Sequence, residues 1–523
     1  MSEQQPGTTD RLKRRSLLAT LAAAPLAPAV LSACSTGESV DTGDDGGTGG
    51  GAGGFVAAIS ARPDQYDPHK TTAYASFQVL ENVYDTLVVP GADDLSMQPS
   101  LATDWETSDD ELTWTFTLRD GVTFHDGSPF TAEDVVFSYR RIIDQDLANS
   151  SRFATVAEVS APDPTHVVVA LTSPTPNLLS RLGGFKGMAI LPRTVDEASL
   201  TTAAVGTGPF RLESTSADEI SLERFDGYWG EAPRVGGLTF RVVPEPAAAL
   251  TALTGGQVQW TDNVPPQQVE KLSGDDSVEL GRVASVDYWY LAMNCAKAPF
   301  DRVDVRRAVA FALDREAVTE AAKFDTARVN QTAIPEASEW YHDYAPFTTD
   351  VDRARQLLAG AGVGGPLTMG LMVTSEYPET VTAAQVVASQ LEPLGITVDI
   401  QTEDFATWLD RQGRGDFDAF VLGWLGNIDP ADFYEDQHRT GGSNNYQKYS
   451  NPVTDDLLDR AKVEPDQAAR KALYDRAAEQ IVDDVSYLYL YNPDAVQAWE
   501  PGITGYEVRA DKAVNFDTVT LPS

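Results

Sequence analysis

Gly423, Trp424, Leu425, Asn427 and Asp429 lie within the stretch FDAFVLGWLGNIDP, Phe417 to Pro430, and their types and spacing suit the holding of a small molecule. A glycine lets backbone approach a bound molecule, an indole offers a flat apolar face, and an asparagine amide both donates and accepts hydrogen bonds. The element that would present them is a short strand, Phe417 to Leu422, rich in strand formers, with Gly423 and Trp424 on the loop that follows. A strand ending in a buried Trp is also ordinary core, so the cluster takes its meaning from the rest of the chain.

The composition excludes several function classes. A chain of 523 residues with 42% hydrophobic residues can fill two or three domains. Its formal net charge of -39 is spread along the sequence, which argues against nucleic acid as a partner, because phosphate binding needs basic patches. No GxSxG, HExxH or P-loop pattern occurs, so no catalytic signature supports the rival reading of a secreted hydrolase, and the protein is not expected to be an enzyme. The five histidines are scattered and the two cysteines belong to no Cys/His cluster, so neither a metal site nor a cofactor is expected. His125, in an FHDG turn, has no Ser, Cys or metal-spaced partner nearby and reads as a turn residue. Cys295, in YLAMNCAKAPF, reads as a small buried hydrophobe.

The first 33 residues read as an address. Arg11, Lys13, Arg14 and Arg15 precede an apolar run from Leu17 to Leu31, broken by Pro25 and Pro28 and too short for a comfortable span of about 20 residues. The run ends Leu31, Ser32, Ala33, Cys34, which looks like a lipobox, so Cys34 is the expected lipidation site. The Arg14, Arg15 pair leaves twin-arginine and general export both open. Residues 34–54, mostly Gly, Thr, Ser and Asp, read as a flexible tether reaching roughly 25 Å from the bilayer.

Beyond the tether the pattern is α/β. Strands are expected at Phe55–Ser60, Leu112–Leu118, Leu367–Thr374, Ile396–Thr402 and Tyr487–Tyr491. Helices are expected at Ala75–Leu87, Asp301–Leu313, Thr380–Leu394, Phe405–Gln412 and Ala468–Val482. Asp120-Gly121 and Asp126-Gly127 mark turns, and Thr131 with Asp134 reads as a capping box before a helix carrying Val135, Val136, Tyr139, Ile142 and Ile143.

The block LATDWETSDDELTWTFTLRDGVTFHDGSPFTAEDVVFSYRRI, Leu101 to Ile142, closely resembles the signature of the extracellular solute-binding proteins of the peptide, nickel and oligosaccharide ABC importers. YDPHK at Tyr66, AILPR at Ala189, GTGPF at Gly206, GYWGEAP at Gly227, APFDRVDVRRAVAFALDRE at Ala298 and YSNPVTDDLLDRA at Tyr449 follow in the order of that family. The resemblance implies a two-lobe periplasmic-binding-protein-like α/β fold with a hinge and an extra inserted domain. Transferred by landmark, lobe one takes 55–76, 200–288 and 493–523, the inserted domain 77–199 and lobe two 289–492, with crossings near Tyr288 and Asn492.

It also implies a lipid-anchored, monomeric protein facing outside the cytoplasm, on the cell surface or in the periplasm, that hands a peptide or peptide-like solute to an ABC permease. In peptide-binding relatives the Gly-Trp pair is followed, after two residues, by an Asp that meets the peptide's α-ammonium group. Here Gly423 and Trp424 match, and Asn427 stands where that Asp would be, or Gly426 if Pro430 is the anchor, so the carboxylate is missing either way. Hydrogen bonds to charged groups are worth roughly 1.5 to 3 kcal/mol against about 1 for neutral ones, so the exchange favours a non-peptide solute such as an oligosaccharide. Asp429 is the substitute carboxylate if the loop brings it inward. Arg62, Tyr74 and Tyr288, the last from the run Tyr288, Trp289, Tyr290, complete the expected solute contacts.

Overall fold

The computed structural model describes residues 53–92, 95–184, 186–426 and 428–522. Cys34, the apolar leader and most of the tether lie outside the described residues, as does Asn427.

Among the described residues one path of paired strands organises the chain. It runs Ile396–Glu403, Leu367–Thr374, Ala419–Trp424, Tyr288–Met293, Leu488–Trp499, Trp260–Thr261, Gly54–Ile59, Gly237–Val242, Glu219–Arg224 and Phe210–Thr215. The pivot is Leu488–Trp499. Its first part pairs antiparallel with Tyr288–Met293, Leu488 opposite Leu291 and Tyr491 opposite Trp289. Its second part pairs with Glu279–Ala284, Asp494 opposite Ala284 and Trp499 opposite Glu279. One unbroken strand therefore passes from one half of the path to the other around Asn492 and Pro493. Asn492 fastens the crossing, since its Nδ2 donates to the carbonyls of Asp287 (2.8 Å) and Ala333 (2.9 Å).

Burial explains why these segments are strands. All six residues of Tyr288–Met293 are buried, as expected of a continuous apolar run covered on both faces. Around it sits the largest core, which includes Leu371, Val387, Trp408, Phe420, Tyr434 and Ile481. A second core, with Phe55, Ile59, Leu222, Phe240, Trp260 and Phe516, lies under the opposite half of the path. A third, with Phe116, Phe124, Val135, Tyr139, Val167 and Leu182, belongs to an antiparallel sheet of Ala102–Thr107, Thr113–Leu118, His166–Leu171 and Val156–Asp163.

Local chemistry sets the element ends. The strand Leu367–Thr374 and the helices Phe405–Arg414 and Gln467–Asp483 fall where periodicity places them. Asp404 caps the first helix by accepting from Thr407 N at 3.0 Å, and Gly415 ends it at φ 71°. Thr131 and Asp134 form the expected capping box of Ala132–Asp144, with Thr131 N donating to Asp134 Oδ2 at 2.9 Å. Asp134 is 2% exposed and also accepts from Arg193 N at 2.9 Å. Asp134→Ala is therefore expected to lower stability by about 1 to 2 kcal/mol in a urea titration.

Three element boundaries differ from expectation, the first being the strand expected at Tyr487–Tyr491, which runs on to Trp499. The helix expected over Ala75–Leu87 stops at Leu80. The carbonyls of Asn82 and Val83, which a longer helix would use, instead accept from Phe210 N and Gly208 N, both at 3.0 Å. Gly206 and Gly208 permit this approach, since a Cβ on Gly206 would lie 2.1 Å from Val83 O. The strand expected to end at Leu422 covers Ala419–Trp424, so Gly423 and Trp424 are strand residues and not loop residues. Pairing with Tyr288–Met293 extends it, Trp424 opposite Tyr288.

The landmark histidines are structural. His69 Nδ1 accepts from Arg141 at 2.8 Å while its Nε2 donates to Ala189 O at 2.8 Å, and Arg141 also holds Asp67 at 2.6 Å. Burial keeps His69 neutral, down to about 4. His125 accepts from Gly206 N through Nδ1 and donates to Gly208 O through Nε2, which pins the GTGPF turn.

Candidate functional site

The strand Trp260–Thr261 pairs parallel with Gly54–Ile59, and Asp262 follows at its carboxyl end. In open α/β sheets the crevice at the carboxyl ends of strands is where ligands are taken up. Here a cavity of about 260 Å³ opens at that place. Tyr74, Asp262, Val264, Pro266 and Val269 line one side, the crossing strand from Pro493 to Gln497 another, and Lys323, Thr326 and Lys512 the remainder. Ligand pockets for whole drug-sized molecules run from about 300 to 1,000 Å³, so this volume suits one residue-sized group.

Of the expected contacts, Tyr74 reaches this cavity. Its hydroxyl donates to Lys512 O at 3.3 Å, and the Lys512 ammonium sits 5.2 Å over its ring. Lys512 also pairs with Asp287, whose other oxygen accepts from Gly426 N at 3.2 Å. Lys323 pairs with Glu379 at 2.9 Å and lies 5.0 Å over the Trp289 ring. Arg62 is exposed and faces the Tyr66 hydroxyl.

Two expectations are corrected. Tyr288 is 1% exposed, and its ring lies 5.6 to 5.8 Å from Tyr290, Phe433 and Tyr489, so it is core; strand alternation sends Trp289 the other way. Asp429 does not turn inward as a free carboxylate. It is 5% exposed, caps Pro430–His438 by accepting from Ala431 N, and receives Arg470 on both oxygens at 2.6 and 2.7 Å. Its Oδ1 also accepts from Asn177 Nδ2 at 3.2 Å. Gly423 serves packing, because a Cβ there would lie 2.5 Å from the Trp289 indole. Trp424 is half-buried against the largest core, and Leu425 is 57% exposed.

The loop after Trp424 rests on the region of Leu178–Gly183. Besides the Asn177 contact, Arg152 and Arg181 face Asp432, whose carboxyl burial pushes up to about 6.

Sequence reasoning missed Asp262, Asp494, Lys323 and Lys512. The available signal was the position of Asp262 just past a strand; the others come together only through the crossing of the long strand. Burial pushes the Asp262 carboxyl up to about 6, with the Tyr74 hydroxyl, Lys512 and Gln78 easing the shift. Against about 3.9 unfolded, the native state binds more protons over the intervening range. Its contribution to stability is therefore full below about pH 4 and lost as pH rises through 6. Asp262→Asn is expected to raise stability by about 1 to 2 kcal/mol at pH 8 and to leave it unchanged near pH 4, measured by urea unfolding at both values.

Residues 96–446 match the family model for bacterial extracellular solute-binding proteins, family 5, middle region. The chain is 27% identical over 449 residues to the probable D,D-dipeptide-binding periplasmic protein DdpA of Escherichia coli K12, covering 83% of this chain and 86% of that one. It is 26% identical over 483 residues to the glutathione-binding protein GsiB of Salmonella paratyphi A, covering 89% and 94%. Among solved structures, the ABC transporter-associated periplasmic binding protein DppA from Helicobacter pylori, in complex with peptide STSA, superposes with a TM-score of 0.80 at 26% identity over 90% of this chain and 99% of that one. The periplasmic binding protein AgaA in complex with agropinic acid, from A. tumefaciens R10, gives 0.79 at 25% identity over 90% and 99%. The fold is that of the two-lobe periplasmic binding proteins. The chain belongs to the family 5 extracellular solute-binding proteins, the binding components of ABC importers.

Proposed function

We propose that the protein is a lipid-anchored, monomeric receptor outside the cytoplasm that captures a peptide or peptide-like solute between two lobes and presents it to an ABC importer. The observation that carries this reading is the cavity where Tyr74 and Asp262 meet Lys323 and Thr326 across the strand Pro493 to Gln497. Residues 55–76, 200–288 and 493–523 form lobe one, 289–492 lobe two and 77–199 the inserted domain. Closure turns on the segments at Tyr288 and Asn492, where a few residues absorb the rotation. The volume holds one residue of the solute, and Gly423, Trp424, Leu425, Asn427 and Arg62 are the further contacts proposed for a longer one.

The relatives support a peptide-like cargo, since one is named for D,D-dipeptides, one for glutathione, and one was solved with a peptide. Asn427 in place of the amine-binding Asp supports a second reading, a non-peptide solute such as an oligosaccharide. A thermal-shift screen over free-amine peptides, N-blocked peptides, oligosaccharides and metal chelates separates them. Stabilisation by a peptide class is expected. Stabilisation by oligosaccharides alone selects the second reading, and by none of the four overturns both.

Cys34 supplies the anchor. Cys34→Ala is expected to move the protein from the membrane fraction to the soluble one or to leave it unprocessed, scored by fractionation. A variant that stays membrane-bound after processing contradicts the anchor.

A further inference from the structure

The cavity has an unbalanced charge. Three cations bound it or its wall, and each already has an acidic partner: Lys512 with Asp287, Lys323 with Glu379 at 2.9 Å, and Arg282 with Asp494 and Asp325. Asp262 has no such partner in contact. Its Oδ2 accepts from Gln78 Nε2 at 2.8 Å and the Tyr74 hydroxyl lies beside the carboxylate, while its Oδ1 is buried with no hydrogen bond of ordinary geometry. Asp494 repeats the pattern on the crossing strand. Its side chain is 1% exposed, one oxygen receives Arg282 Nε, and Oδ1 is buried without a partner. Two carboxylate oxygens buried without partners, on residues that line one cavity, are costly unless a ligand completes them.

We infer that this cavity is a cation subsite in which Asp262 and Asp494 receive a primary ammonium group of the solute. The inference rests on the peptide-type reading above and assigns the amine to residues other than Asn427. An ammonium offers three donors, enough for both free oxygens with one to spare. Hard divalent ions prefer six or more oxygen ligands, and the cavity wall carries Val264, Pro266 and Val269, which suit the carbon stem of an amine. Burial pushes the Asp262 carboxyl up to about 6, and an ammonium beside it would favour the charged form. The groups facing that titration are Tyr74 and Gln78 from one helix and Lys512 and Tyr506 from the C-terminal segment.

The test is a thermal-shift titration of the full mature chain with three random tripeptide libraries. One has all amines free, one has α-amines acetylated but lysine side chains free, and one has every amine acetylated. Stabilisation by the first or second but not the third is expected, and the choice between those two identifies the α- or side-chain ammonium as the source. Asp262→Asn, still folded and at least as heat-stable at pH 8, is expected to need about tenfold more library for the same shift, as loss of one charge-assisted contact implies. Asp262→Ser serves if Asp262→Asn does not fold. Equal stabilisation by the fully acetylated library overturns the cation subsite and leaves the peptide reading standing. Undiminished response in both variants removes the site from this cavity. No response to any library overturns the peptide reading and the subsite with it.

Discussion

Arg470→Met is expected to destabilise the protein by about 3 to 5 kcal/mol, read as a lower urea midpoint with an unchanged slope. Arg470 is 3% exposed, its guanidinium meets both oxygens of Asp429, and it lies 5.2 Å over the Trp340 ring and 5.1 Å over that of Tyr474. The substitution keeps the volume and the apolar contacts but leaves Asp429 a buried carboxylate with Asn177 and Ala431 N as its remaining donors. Removing one partner of a buried pair costs far more than removing both, because the survivor's desolvation is uncompensated. Arg470→Met combined with Asp429→Asn is therefore expected to recover most of the loss. If the double variant is no more stable than the single one, Asp429 is not held by Arg470 in the way described. Because Asp429 caps Pro430–His438 directly after the loop that follows Trp424, the single variant is also expected to loosen that loop.

Gly426→Ala is expected to reduce solute-induced stabilisation by at least tenfold and to lower stability by about 1 to 3 kcal/mol or more. A Cβ at this position would lie 1.6 Å from Val286 O and 2.3 Å from Val286 C, backbone atoms that cannot rotate away. The loop must move off the segment that precedes Tyr288, which breaks the bond from Gly426 N to Asp287. Asp287 also anchors Lys512 at the cavity, so the disturbance passes from the loop to the site. Gly360→Ala is the control. Gly360 closes the helix Val351–Gly360 with open space where a Cβ would go, and alanine there is expected to be neutral or stabilising by up to about 1 kcal/mol.

These two positions mark the boundary of what the sequence makes legible. Local patterns with local causes were readable: the apolar run of Leu367–Thr374, the alternation around Phe116, and the box of Thr131 and Asp134, three residues apart. Family landmarks brought attention to Tyr74 and to the loop after Trp424. The misreadings each involve a distant partner. Asp429 looked available because Arg470 is 41 positions away. Tyr288 and Trp289 could not be assigned to core or cavity until the register with Tyr491 and Trp424 was known. The helix from Tyr74 ended early because Gly208 and Phe210 claim carbonyls more than 120 positions back. Asp262 and Asp494 share a cavity only because a single strand crosses between the two halves of the sheet. No periodicity encodes that meeting.

Amide hydrogen exchange, run with and without the solute class that stabilises the protein most, tests most directly whether this cavity is where solute is taken. The expected result is slowed exchange in the segments carrying Tyr74, Asp262, Ala495 to Gln497 and Lys512, together with the loop after Trp424. Slowed exchange confined to other segments, or none in these, would contradict the account.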